Sequence, residues 1–149
     1  MMEKIFKVTI DARLYKGGKL GVLQELYRKL TLQQSIVFVE RKDDADRISR
    51  MMIDSGNCFI DFLFDCVNHQ LWLIVGLDVS TLHSTLKGME RDEVMERFRK
   101  QQSRVLITTN VLARGVDVPS IGVVINYDLP VLHSVSRELQ PDMVTYVHR

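Results

Sequence analysis

Three features of the sequence predict an α/β fold built on a parallel sheet. Short β-type runs alternate with helical stripes, the order that gives parallel strands joined by crossovers. Two runs, Val105–Thr108 and Gly122–Asn126, are near-continuously apolar, as strands buried in a parallel sheet are. Between them lies a polar, glycine-bearing segment, Thr109–Pro119. In open α/β sheets ligand chemistry gathers where the chain leaves the carboxyl ends of strands, and this segment sits at such a place. Hydroxyls (Thr108, Thr109), an amide (Asn110), a cation (Arg114), a glycine (Gly115) and a carboxylate (Asp117) collect there. That mixture suits phosphate and sugar hydroxyls better than an apolar ligand.

The elements follow in order. Ile5–Ile10 reads as a strand and Lys16–Lys19, with its paired glycines, as a turn. Leu20, Leu23, Leu26, Tyr27 and Leu30 keep helical spacing, which predicts an amphipathic helix over Lys19–Leu30. Ser35–Glu40 is a buried strand. Ala45, Ile48 and Met52 form the next helical stripe, behind a charged start at Arg41–Asp46, and Gly56 is a candidate stop. The acidic group Asp43, Asp44 and Asp46 reads as a solvated helix start, favoured by the helix dipole. Val79–Leu82 is a short strand, and Gly88–Gln101 a helix with Val94, Met95 and Phe98 inward. Val131–Asp142 reads as a loop with turn signals at Leu129-Pro130 and Gln140-Pro141-Asp142.

Composition narrows the function classes. The chain has 149 residues, 46% apolar and 26% charged, enough for one core and unlike a disordered segment. The formal net charge of +1 supplies no whole-molecule basic field, so nucleic-acid binding needs a local patch. The four histidines (His69, His83, His133, His148) show no zinc spacing with Cys58 or Cys66, and two cysteines make no disulfide framework. The start lacks the form of a signal peptide, and no apolar run reaches the ~18 residues of a membrane span. The ending, VTYVHR, reads as that of a fragment.

Four stretches then become specific. They are Ser35–Arg41 (SIVFVER), Thr81–Phe98 (TLHSTLKGMERDEVMERF), Thr108–Asp117 (TTNVLARGVD) with Val124–Pro130 (VINYDLP) behind it, and Tyr146–Arg149 (YVHR). In this order they resemble motif IV, the LHG…QxxR…F block, motif V and the opening of motif VI of DEAD-box RNA helicases. The chain resembles the second RecA-like domain of that family over nearly its whole length, incomplete at its C-terminal end. Asn110 and the long loop before Tyr146 resemble the mRNA-export subfamily.

The resemblance implies an ATP-dependent RNA helicase whose second domain grips the RNA backbone, where contacts are sequence-independent. It assigns Thr109, Arg114, Ser84 and Arg91 to RNA, with Arg91 on the exposed side of its helix. Gly115 and Asp117 go to ATP: a glycine lets backbone approach closely, and a carboxylate accepts from ribose hydroxyls. His148 and Arg149 begin motif VI, at the interface with the first RecA-like domain, which would hold Mg2+. Implied partners are RNA, that first domain and mRNA-export or translation factors, in the cytoplasm, the nucleus or both. Ser84 stands where the family has glycine, and Gly88 where it has the QxxR glutamine, removing a side-chain partner. Without the motifs, Thr108 and Thr109 read equally as β-branched strand ends, Asp117 as a turn carboxylate, and Arg91 as a solvated helix residue. His83 reads as structural.

Absences shape the expected mechanism. The 149 residues contain no GxxxxGK[ST] phosphate loop, no Asp-Glu-Ala-Asp motif and no later motif VI arginines. Such arginine fingers contribute ~10³–10⁵ in rate to related phosphoryl transfers. The chain alone is therefore expected to be inactive. Asn57–Gly76 is a further expectation. It holds both cysteines and the only tryptophan but no Lys, Arg or Glu, and reads as a lineage-specific insertion or a translated intron. A buried helix or strand pair is the plainer alternative. Two other readings stay open for the whole chain, a non-catalytic RecA-like module binding RNA or protein, and a non-functional gene-model fragment.

Overall fold

The computed structural model describes residues 8–29, 34–63, 78–110, 118–132 and 140–148. It divides into two compact units, 1–31 and 32–149. In the first unit, a single 3₁₀ turn at Ala12–Leu14, capped by Asp11, leads to helix α1, Gly18–Lys29. Gly17 has φ +91°, and a Cβ at Gly21 would meet Lys16 O at 2.2 Å, so the turn into α1 depends on both glycines. Arg28 first, then Lys29, hold the Glu25 carboxyl down to about 2 by hydrogen bonding across one helical turn. The expected strand at Ile5–Ile10 does not extend into the described residues. Residues 8–10 pair with nothing there and Val8 is 78% exposed. Apolar β-formers make a strand only where a neighbouring edge receives them.

Among its described residues the second unit carries a four-stranded, all-parallel sheet. Its strands are β1 (Gln34–Phe38), β2 (Val79–Leu82), β3 (Val105–Thr108) and β4 (Ile121–Asn126), in the spatial order β2-β3-β1-β4. Helix α2, Lys42–Leu63, follows β1 and lies against β2 and β3. Helix α3, Gly88–Arg99, connects β2 to β3. The connections after β1 and after β2 run in opposite directions along the sheet, so right-handed crossovers put α2 and α3 on opposite faces. On the α3 face, Ile36, Phe38, Leu82 and Leu106 form one buried cluster with Met95, Phe98 and Val118. Val37, Val39, Val105 and Ile107 alternate with them and are fully buried on the other side of the pleat.

Several boundaries differ from the sequence reading. Helix α2 continues through Gly56 to Leu63. One interior glycine costs only about 0.5–1 kcal/mol, too little to stop a helix whose neighbours propagate it. The expected insertion at 57–76 therefore begins inside α2, and from residue 64 to 76 it lies outside the described residues. Strand β4 is half-buried, not buried. Among the described residues it pairs only with β1, and Val124 is 43% exposed. Its valines and isoleucines suit a pleated surface at an edge as well as inside. The expected loop at 131–142 contains a small antiparallel pair, β5 (Val131–Leu132) with β6 (Gln140–Pro141), and a short helix α4, Met143–His148, begins behind Asp142. Asp142 caps α4, accepting from Thr145 N–H and Oγ1.

Below the sheet, at the amino ends of the strands, buried Gln34 ties together the end of α3, the turn before β3 and the turn before β4. Its Nε2 donates to Phe98 O at 2.7 Å and Ser103 O at 2.9 Å, while its Oε1 accepts from Ser120 Oγ. The end of α3 is closed by Gln101 N–H to Phe98 O and Gln102 N–H to Arg97 O, a Schellman arrangement. Gln101 there takes φ +57°, the left-handed conformation that favours glycine.

Two stability measurements check this account. Gln34→Ala takes the side-chain donor from buried Ser103 O, while Phe98 O keeps Gln101 N–H, and should cost about 1–3 kcal/mol in urea unfolding. Gln101→Gly relieves the left-handed strain and should stabilise by about 0.5–1 kcal/mol; a destabilised protein would refute the cap assignment.

Candidate functional site

All four strands end in one row. Leu82, Thr108, Phe38 and Asn126 are register partners across the sheet. The residues that follow form the rim on which ligand chemistry is expected. Backbone bonds carry the ladder past the strands: Val39 N–H donates to Thr108 O at 2.9 Å, Thr109 N–H to Leu82 O at 3.3 Å, and Tyr127 N–H to Phe38 O at 3.0 Å. Thr108 is fully buried, and its Oγ1 lies 2.9 Å from both Leu82 O and Thr109 O. One hydroxyl thus joins the end of β2 to the first residue beyond β3. On the other flank, Asp128 Oδ2 accepts from Glu40 N–H at 3.1 Å and links the turns after β1 and β4.

The loop after β2 is held as closely. His83 is buried; its Nδ1 shares a 2.6 Å hydrogen bond with Thr85 Oγ1, and its Nε2 lies 3.5 Å from Asp46 Oδ1 on α2. His83 thus lies between the loop after β2 and helix α2. Leu86 N–H closes a turn on His83 O at 3.2 Å. Lys87 N–H donates to Glu90 Oε2 at 2.8 Å. Arg91 donates from Nε to Leu86 O at 3.0 Å and from Nη2 to Ser84 O at 2.8 Å.

The predicted site residues fare differently. Ser84 and Thr109 stand on the rim, Ser84 exposed and Thr109 only 9% exposed. Arg91 is not on an exposed face: it is half-buried, because the loop it bonds folds back over it. Ser84 and Arg91 are brought into direct contact. Arg114, Gly115, Asp117 and Arg149 lie outside the described residues, and His148 is described only as the last residue of α4. Sequence reasoning passed over Lys87, an exposed cation in the loop after β2, and Asp128, quoted only as part of a motif's sequel. The position of Lys87 directly before a helix start was the signal for it. Among the described residues no cluster of carboxylates, histidines or cysteines could hold a metal, and no helix is long and apolar enough to cross a membrane.

The helicase conserved C-terminal domain family matches residues 18–149. The ATP-dependent RNA helicase DBP5 of Candida glabrata is 44% identical over 134 residues, 90% of this chain and 22% of that protein. Among solved structures, the C-terminal domain of a Saccharomyces cerevisiae Dbp5 variant bound to Gle1 and IP6 has a TM-score of 0.68. It is 39% identical, and the match covers 88% of this chain and 60% of that one. A Saccharomyces cerevisiae Dbp5 variant bound to RNA and ADP BeF3 has a TM-score of 0.67 at 40% identity, covering 88% of this chain and 27% of that one. The chain thus spans about a quarter of the length of the curated relatives it matches, from 22% to 26%.

Thr108→Val tests the rim directly. The shape is retained but the hydroxyl bridge is lost, so unfolding free energy should fall by about 1–2 kcal/mol. Amide exchange at Thr109 should quicken, and an unchanged protein would remove the bridge from this account.

Proposed function

The chain belongs to the helicase conserved C-terminal domain family, in its DEAD-box branch, and from that premise we propose that it is the RNA- and ATP-contacting half of an ATP-dependent RNA helicase of the mRNA-export type. The observation that carries this reading is the extent of the likeness. One relative whose structure covers 88% of this chain is bound to RNA and ADP BeF3. In this reading the rim above β2 and β3 meets RNA, through Ser84, Thr109 and Arg114, with Arg91 behind them. Sugar–phosphate contacts of this kind hold a strand without reading its sequence. Gly115 and Asp117 meet the nucleotide, the first by close backbone approach and the second by accepting from ribose hydroxyls. ATP when bound supplies the phosphoryl group whose loss drives the cycle.

The division of labour follows from the residues. Phosphoryl transfer is catalysed by positioning and charge stabilisation, through a phosphate loop, Mg2+ and arginine fingers. This sequence holds neither a phosphate loop nor a DEAD motif. Its RNA and ATP groups act when closed against a first RecA-like domain, which carries Mg2+, and His148 and Arg149 belong to that interface. Export factors are the proposed partners, since one similar domain is bound to Gle1, and the proposed locations are the nucleus and the cytoplasm.

The purified 149-residue chain should bind RNA weakly and release no phosphate from ATP, with or without RNA. RNA-stimulated hydrolysis by this chain would overturn the proposed division. In the intact helicase, Thr109→Ala and Arg114→Ala should each lower RNA-stimulated turnover, about twofold to tenfold for a lost hydrogen bond. Unchanged turnover in both would remove these residues from the RNA site.

A further inference from the structure

Arg91 gives one edge of its guanidinium to the chain's own backbone. Nε and Nη2 form one edge of the planar guanidinium, an edge able to grip a phosphate with two parallel N–H groups. Here that edge is occupied by Leu86 O and Ser84 O, at 3.0 and 2.8 Å. The same helical turn holds the rest of the loop. Arg91 N–H donates to Lys87 O at 3.0 Å, and Glu90 accepts from Lys87 N–H at 2.8 Å. Gly88, two residues after Leu86, has no side chain that could share this task. Outside the brace, Ser84, Thr85 and Lys87 are all exposed, and Lys87 is the loop's own cation.

From this geometry we infer that Arg91 is a positioning residue of the RNA site. It fixes the loop from His83 to Lys87, and Ser84 and Lys87 meet the phosphates. The inference rests on the RNA-backbone reading given above and changes how one of its residues acts. A loop held in its binding conformation before RNA arrives has less freedom to lose on binding, which is how such a brace raises affinity.

Charge and shape separate the two roles. A direct cation–phosphate contact contributes ~0.7 to the slope of log affinity against log salt for a single strand; a positioning residue contributes affinity and no slope. The experiment uses the 149-residue chain, a labelled oligouridylate over a low-salt series, and amide exchange of Thr85 to Lys87. Arg91→Gln removes the charge. Arg91→Lys keeps the charge but cannot span both carbonyls. Both should weaken binding roughly tenfold, the worth of one charge-assisted hydrogen bond, with the parental slope and faster exchange in the loop. Lys87→Ala should lower the slope by ~0.7. Parent-like binding by Arg91→Lys overturns the inference, as does loss of ~0.7 from the slope in Arg91→Gln with loop exchange unchanged. A parent chain that binds no RNA at low salt overturns the RNA reading itself, and needs no variant to show it.

Discussion

Strand β1 holds its neighbours level. Through Phe38 it pairs with Thr108 on one side and Asn126 on the other, and Thr108 passes the same level to Leu82. Parallel pairing allows this, because every strand points the same way and every carboxyl end arrives at the same edge. The rim therefore collects segments far apart in sequence, around residues 39–41, 83–87, 109–110 and 127–128. A slip of one residue in any strand would turn its side chains to the opposite face and dismantle the rim. Ile36, Phe38, Leu82 and Leu106 oppose such slips, since each would leave the buried cluster on the α3 face.

Above the row, the chain is organised by side chains that bind backbone. Thr108 reaches Leu82 O, Asp128 takes Glu40 N–H, Arg91 takes two carbonyls of the loop after β2, and Glu90 takes Lys87 N–H. Loops on this rim would otherwise leave their polar backbone groups to water and their shape unspecified. Under the proposed RNA reading, a preorganised rim suits the presentation of hydroxyls and charge to a phosphate backbone. Below the sheet Gln34 does the corresponding work at the opposite ends of the strands, with no ligand chemistry attached.

Legibility followed the physics of each element. Strands β2 and β3 and helix α3 were readable because local period and burial agree: Met95 and Phe98 are apolar at helical spacing and both face the core. The expected helix stop at Gly56 rests on one residue's propensity, and a cost of about 0.5–1 kcal/mol does not end a helix that is already propagating. Residues 8–10, the described part of the expected first strand, are unpaired for the opposite reason, since β-propensity at Val8 and Ile10 carries no information about whether an edge awaits them. Strand β4, half-buried and paired only with β1 among the described residues, carries valines and isoleucines that a central strand can share.

The candidate site divides in the same way. Residue types in order sufficed to place Ser84 and Thr109 after strands, because strand ends and polar loops follow from the chain's local pattern. The orientation of Arg91 could not be read so. Its guanidinium turns toward Ser84 O, seven residues back, and that contact exists only once β2 and α3 are packed and the loop between them has closed. Asp128 and Glu40 are separated by 88 residues and meet only because β1 and β4 are neighbours. Local pattern set which chemical groups the chain owns; the parallel register set which of them meet, and whether a cation faces a ligand or its own backbone.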